Sequence, residues 1–236
     1  MTSLLHYLRD LPVPALWALF LAENLFITGI VLVAGRWIIS YSQKDQAEVS
    51  RNSKRDWQLC LLTNVLNTVV TYAGFWLWKH GFIAIEKSLS WKVLSDFVIL
   101  FLAMDFLMYV FHYVIHKTKL YNAVHSLHHE AVNPKPIDLF VLHPVETLAF
   151  GGLWLLLLMG YSFSLAAIVL YLIVNVAFGL AGHLGMEPLP KAWRKKVIFE
   201  YLGTSSFHHD HHKNLQVNFG FYTSIWDRLF GTLGKS

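Results

Sequence analysis

A single cysteine, Cys60, stands in 236 residues, so no intramolecular disulfide framework can form. It falls where a second apolar helix is expected to begin and reads as a small buried apolar side chain. Charge is scarce as well: Asp, Glu, Lys and Arg make up 14% of the chain and the formal net charge is +4. Nor does the sequence lead one to expect a cleavable leader. The first apolar run opens near Pro14 without a basic n-region or a small-residue cleavage site, and is expected to remain as an anchor. No internal repeat or low-complexity linker is present. Asn133-Pro-Lys-Pro136 and Pro188-Leu-Pro190 punctuate loops and do not separate domains.

What fills the chain instead is apolar surface. Hydrophobic residues reach 55%, with nine Trp and 17 Phe, and mean hydropathy is +0.44. Runs of about 20 residues without charge read as membrane helices. The candidate spans are Pro14–Gly35, Leu59–Trp78, Val93–His116, Glu146–Tyr161 and Phe163–His183. The fourth is short and only Ser162 separates it from the fifth, so these two can form a tight hairpin. The expected fold is all-α, with four to five transmembrane helices. Residues 1–104 would be anchor, and 105–236 a histidine-rich catalytic region continuous with it. If the spans alternate with the N-terminus outside, 15 of the 19 basic residues lie on the inner side. The positive-inside rule then selects a cytoplasmic C-terminus. This distribution argues for a membrane and against nucleic acid as the source of the positive balance. The run Lys191-Ala-Trp-Arg-Lys-Lys196 suits either anionic headgroups or a solvated, topology-setting role. Glu23, Asn24, Asn64 and Asn67, inside the early spans, read as helix-to-helix hydrogen bonders ahead of a substrate path.

Histidine is the informative excess. Eleven of the 13 histidines follow residue 111, and the same topology puts their clusters on the cytoplasmic side. Imidazole binds transition metals through a neutral ring nitrogen. On one helix face, at about 100° per residue, lie Asp105, Tyr109, His112 and His116. His125, His128 and His129 follow with i, i+3, i+4 spacing, expected to share one helical face, and His208, His211 and His212 repeat that spacing. His209 points away on the wheel. His183 closes the fifth span between glycines, and His143 opens the fourth in His143-Pro-Val-Glu146, either as a ligand or paired with Glu146. Leaving His143 aside, nine ligands remain, too many for one tetrahedral or octahedral ion, so two metals are implied. Asp105, Asp210 and Glu146 are candidates to hold ligand histidines through their free N–H groups, Asp105 alternatively a structural helix-to-helix contact, and Tyr109 is a candidate to tune the site or shape its cavity. No cysteine lies in the clusters, which disfavours a thiolate site; imidazole alone suits zinc, copper, iron or nickel.

This constellation resembles the fatty acid hydroxylase/sterol desaturase superfamily of membrane-bound, histidine-rich di-iron enzymes. The resemblance runs from about Asp105 to Gly231. It rests on Asp105-x3-Tyr109-x2-His112-x3-His116, His125-x2-His128-His129 and His208-x2-His211-His212. His143-Pro-x-Glu146, His183-x-Gly185 and the tail Asn218-Phe-Gly through Trp226-Asp227 to Gly231 add to it. It implies two iron ions, replaceable by zinc on purification, and O2-dependent hydroxylation or desaturation of a fatty acyl, sterol or related lipid. It also implies a separate electron donor of cytochrome b5, ferredoxin or reductase type, because a fused haem-binding domain of cytochrome b5 type is not expected from this sequence. One departure stands out. Lipid-hydroxylating relatives carry a further histidine four residues before the position of His183, and here that position is Gly179; His143, Asn175 or water would then complete the second metal's shell.

Two rival readings are a membrane metal-ion transporter and a zinc-dependent membrane hydrolase. Transport sites lie near the bilayer midplane, whereas these clusters lie at span ends. A catalytic zinc takes three protein ligands and a water, fewer than this chain offers.

Overall fold

The computed structural model describes residues 7–42, 52–87, 89–194 and 196–234. Lys44, Arg51, Lys195 and Lys235, four of the inner basic residues, lie outside the described residues. The fold is all-α. Five long helices carry it: α1 (Val13–Ser42), α2 (Lys54–Lys79), α3 (Lys92–Lys117), α4 (Pro144–Gly160) and α5 (Leu165–Gly182). Four of these, α1, α2, α3 and α5, are long and apolar enough to cross a membrane, while α4 is shorter. At 1.5 Å per residue, α4 and α5 each extend about 25 to 27 Å and α3 about 39 Å.

The chain reverses at the end of each long helix, and two sets of contacts identify the two ends of the bundle. At the far end, Lys79 Nζ donates to the Arg9 carbonyl, and Lys92 Nζ to the Ser162 carbonyl. There the two-residue strands β1 (Ile85–Glu86) and β2 (Phe163–Ser164) pair in parallel. At the near end, Arg55 and Lys135 pair with Glu130 and Asp56, and α3 ends at the first histidines. The α4–α5 hairpin starts and finishes at the near end, because Glu146 contacts His125 and His183 contacts His128. Every histidine cluster therefore lies at one end, whatever depth the short α4 reaches.

Packing follows small residues. A Cβ on Gly151 would collide with Val70, and one on Gly35 with Pro136, so α4 lies close on α2, and α1 on the 136–140 turn. Between α1 and α2, buried Thr28 donates to Asn64 at 2.9 Å, a helix-to-helix bond of the kind expected of polar side chains in lipid. Glu23 is exposed on α1. Cys60 is buried. Large apolar side chains such as Phe26, Val33 and Trp37 point outward, which suits a lipid-facing surface.

Beyond the long helices, the near end is closed by short elements. These are a π-helical turn at Tyr121–His125, 3-10 turns at His128–Glu130 and Pro136–Phe140, and the helices α6 (Lys191–Arg194), α7 (Val197–Glu200), α8 (Ser205–Lys213) and α9 (Ile225–Phe230). The tail after α8 folds back over α3, held by Asp105. That carboxylate accepts from Tyr222 N at 2.8 Å, Thr223 N at 3.2 Å, the Thr223 hydroxyl and Trp226 Nε1 at 3.0 Å.

Candidate metal centre

Nine imidazoles gather at the near end in two adjoining groups. One holds His112, His116, His125, His129 and His211; the other holds His128, His183, His208 and His212. Within each group, one ring nitrogen per residue lies within 4.8 Å of the rest. The grouping does not follow the sequence clusters. Residues four apart share a group: the ring centroids of His112/His116, His125/His129 and His208/His212 are all 4.7 Å apart. Residues three apart separate: His125/His128 lie 5.4 Å apart and His208/His211 5.9 Å. In a regular helix, i and i+4 differ by about 40° around the axis and i and i+3 by about 60° in the opposite sense. Neighbours such as His128/His129 and His211/His212 therefore straddle the two groups, and His129 and His212 meet across the boundary at 4.6 Å. A shared helical face, expected of each triplet, therefore does not mean a shared group. For 125–129 the backbone differs too, since a π turn followed by a 3-10 turn replaces the regular helix. Such turns often occur at functional sites.

Hydrogen bonds fix which nitrogen faces inward. Nδ1 of His112 bonds the Phe219 carbonyl at 2.9 Å and Nδ1 of His211 the Val217 carbonyl at 2.7 Å. Nδ1 of His125 bonds Glu146 Oε1, and Nδ1 of His183 the Gly179 carbonyl, both at 2.8 Å. Because carbonyls only accept, Nδ1 of His112, His211 and His183 carries the proton and Nε2 the lone pair, and an ionised Glu146 imposes the same tautomer on His125. The 3.0 Å approach of His112 Nε2 to His125 Nε2 is thus two lone pairs converging, not a hydrogen bond. Such a pair is stabilised by a shared cation, and metal–imidazole bonds of about 2.0–2.1 Å span it. His211 Nε2 is buried with no hydrogen-bond partner among the described residues. An all-imidazole donor set with inward lone pairs fits divalent iron, zinc, copper or nickel. Burial also holds the imidazoles neutral. It pushes His183 down to about 4 and His212 down to about 3, the latter helped by its histidine neighbours, and it lowers His125, His128, His129, His208 and His211 as well.

The remaining candidates fall as follows. Glu146 is buried and bonded to His125. Asp105 hydrogen-bonds no histidine among the described residues: it clamps the tail, which returns to it 117 residues later. Tyr109 is buried with its hydroxyl on Thr232 Oγ1 at 3.1 Å, facing the tail. Asp210 is exposed, on the side of α8 away from both groups. His143 is in neither group. It is the N-cap of α4, its Nδ1 accepting from Val145 N at 3.3 Å, and its backbone N–H is turned toward the Glu146 carboxylate, whose Oε1 also takes His125 Nδ1. Asn175 accepts from the Tyr222 hydroxyl at 2.6 Å. At Gly179 a Cβ would meet Leu139 Cδ1 at 2.8 Å, so Leu139 fills the place of a longer side chain. No spacing in the sequence marks the carbonyls of Val217 and Phe219 or the part played by Asp227, beyond the Asn218–Gly231 tail that contains or adjoins them.

A bundle with four helices long and apolar enough to cross a membrane thus gathers nine buried imidazoles into two adjoining groups that could each hold a metal ion. Comparison with known proteins agrees. Residues 97–232 match the family model described as fatty acid hydroxylase, and the chain belongs to that family, which places it among oxygen-dependent oxidoreductases. It is 25% identical to a cholesterol 25-hydroxylase-like protein of Danio rerio, over 79% of this chain and 77% of the relative. It is 30% identical to methylsterol monooxygenase 2-2 of Arabidopsis thaliana, over 61% and 54%. It is 31% identical to very-long-chain aldehyde decarbonylase GL1-7 of Oryza sativa subsp. japonica, over 73% and 28%. The chain thus spans about half or less of the latter two. No solved structure matches it.

Proposed function

We propose that this chain is a di-iron lipid oxygenase that hydroxylates or desaturates an acyl, sterol or related lipid reaching it laterally from the bilayer. The observation that carries the reading is the division of nine buried histidines into adjoining groups of five and four. His112, His116, His125, His129 and His211 would hold one iron, and His128, His183, His208 and His212 the other. When bound, the iron pair supplies two-electron activation of O2 and attack on an unactivated C–H bond. The chain's own contribution is orientation and exclusion of water. Glu146 and the carbonyls of Phe219, Val217 and Gly179 hold four imidazoles in the ligating tautomer. The buried Phe219 keeps apolar surface against His112, His116 and His211 of the five-histidine group. The four-histidine group has fewer protein donors, so it is the side on which O2 or a solvent ligand has room.

The distribution of basic residues supports a cytoplasmic near end, where a separate electron donor of cytochrome b5, ferredoxin or reductase type would dock. The experiment is lipid mass spectrometry of cells with the wild-type chain, a His128→Ala variant, or neither. A lipid carrying one added oxygen, or one fewer hydrogen pair, only with the wild type under air is expected. The same product from His128→Ala, or no change in any lipid, overturns the proposal.

A further inference from the structure

The C-terminal tail reaches the metal centre through two carbonyls, those of Val217 and Phe219. Between them Asn218 adopts φ 59°, the one non-glycine residue with positive φ among the described residues, a conformation asparagine tolerates better than most. That left-handed step lets two carbonyls two residues apart serve His211 and His112, both in the five-histidine group. Asn218 is held from both sides, its Nδ2 donating to the Phe207 carbonyl at 3.1 Å and its Oδ1 accepting from Gly234 N at 2.7 Å.

Behind this step lies a buried carboxylate that touches no histidine. Asp227 Oδ1 accepts from Phe219 N at 2.8 Å and from Thr232 Oγ1 at 2.7 Å, while Oδ2 accepts from Gly220 N at 2.7 Å. Gly220 has to be glycine here, because a Cβ would strike the Thr223 carbonyl and sit 2.7 Å from Asp227 Oδ2. The Thr232 hydroxyl spends its only proton on Asp227, so in the 3.1 Å contact between Tyr109 and Thr232 the tyrosine donates. A chain of contacts therefore runs from Tyr109 through Thr232 and Asp227 to the 219 and 220 amides. From there the Phe219 carbonyl passes it to His112 Nδ1. We infer that Asp227 is a positioning residue for one of the two metals: by gripping both amides flanking the Phe219 carbonyl, it aims that carbonyl at His112 and fixes the tautomer of a ligand in the five-histidine group alone.

The inference rests on the two-metal reading, and a metal-binding measurement separates the two. Asn at 227 keeps the shape but sets an NH2 against one of the three donors, so the 219–220 segment must turn. The full-length chain, purified in nanodiscs and loaded with ferrous iron without oxygen, is titrated against a colorimetric chelator. Asp227→Asn should weaken one iron about 10- to 100-fold, the usual effect of losing a partner that orients a ligand, and leave the other unchanged. Combining it with substitutions in each group identifies the iron affected. With His183→Ala it should weaken both sites. With His112→Ala it should add nothing to the loss His112→Ala causes alone. Thr232→Val removes one donor and no charge, should act on the same iron less strongly, and replaces Asp227→Asn if that variant does not accumulate. Two irons of wild-type affinity in the variant, or equal weakening of both, overturns the inference as a purely structural clamp would. A wild-type chain that takes up no iron overturns the two-metal reading and this inference with it.

Discussion

Replacing Glu146 by Gln separates the cost of a buried hydrogen bond from its effect on a metal. Glu146 Oε1 lies 2.8 Å from His125 Nδ1, with the side chains only 2% and 3% exposed, so the bond is shielded from water. Charge-assisted hydrogen bonds are about twice as strong as neutral ones, and a carboxylate behind a ligand imidazole raises its basicity. Glutamine can still accept through its oxygen, but as a neutral group. Its NH2 then occupies the position of Oε2, which is buried and has no hydrogen-bond partner among the described residues. An unsatisfied buried donor costs about 1–3 kcal/mol. That cost falls on the fold whether or not metal is bound. The lost charge falls on metal affinity, by about 10- to 100-fold, or about 1.4–2.7 kcal/mol. Thermal unfolding of the metal-free variant reads the first quantity and chelator competition the second. Because Glu146 touches His125 alone of the nine, the iron held by His128, His183, His208 and His212 should keep its affinity. Unchanged affinity at both sites, or an equal loss at both, refutes the reasoning.

Other consequences follow from the same contacts. Since burial lowers the histidines, the folded chain keeps them neutral while the unfolded chain protonates them near pH 6.5. Stability of the metal-free protein should therefore be level above about pH 7 and fall with acid. The fall should reach about 1.4 kcal/mol per such imidazole at pH 5.5 and continue toward about 4 for His183 and about 3 for His212; unfolding midpoints that do not move between pH 7.5 and 5.5 would contradict this. Asp105→Ala strands four donors of the tail at about 1–3 kcal/mol each before relaxation, so a loss above about 3 kcal/mol is expected, and a variant of wild-type stability in nanodiscs would refute the clamp. Arg55→Ala removes an ion pair whose side chains are 60% and 58% exposed; it should cost under about 1 kcal/mol and leave both metals, a result checked by the same melting and metal assays.

The membrane helices and the gathering of histidines were legible because both are written in local pattern. Apolar length marks α1, α2, α3 and α5, and the i, i+4 pairs put ligands one turn apart. The allocation of ligands was not legible. His128 and His129 differ by one residue yet serve different groups, which depends on the π and 3-10 turns around them and on α8 arriving from 80 residues later. Asp105 looked like support for a histidine because it shares a face with His112. Its partners, Tyr222, Thr223 and Trp226, are more than 110 residues away, and no spacing rule connects them. His143 illustrates the opposite case, a histidine whose position before Pro144 is sufficient to explain it as a helix cap.

Two irons held side by side in separable histidine groups should be visible in the metal content of three chains. Loaded with ferrous iron under anaerobic conditions and freed of excess, the wild type should retain two irons per chain, and His112→Ala and His183→Ala about one each. One iron or none in the wild type, or loss of both irons from either single variant, would contradict the account.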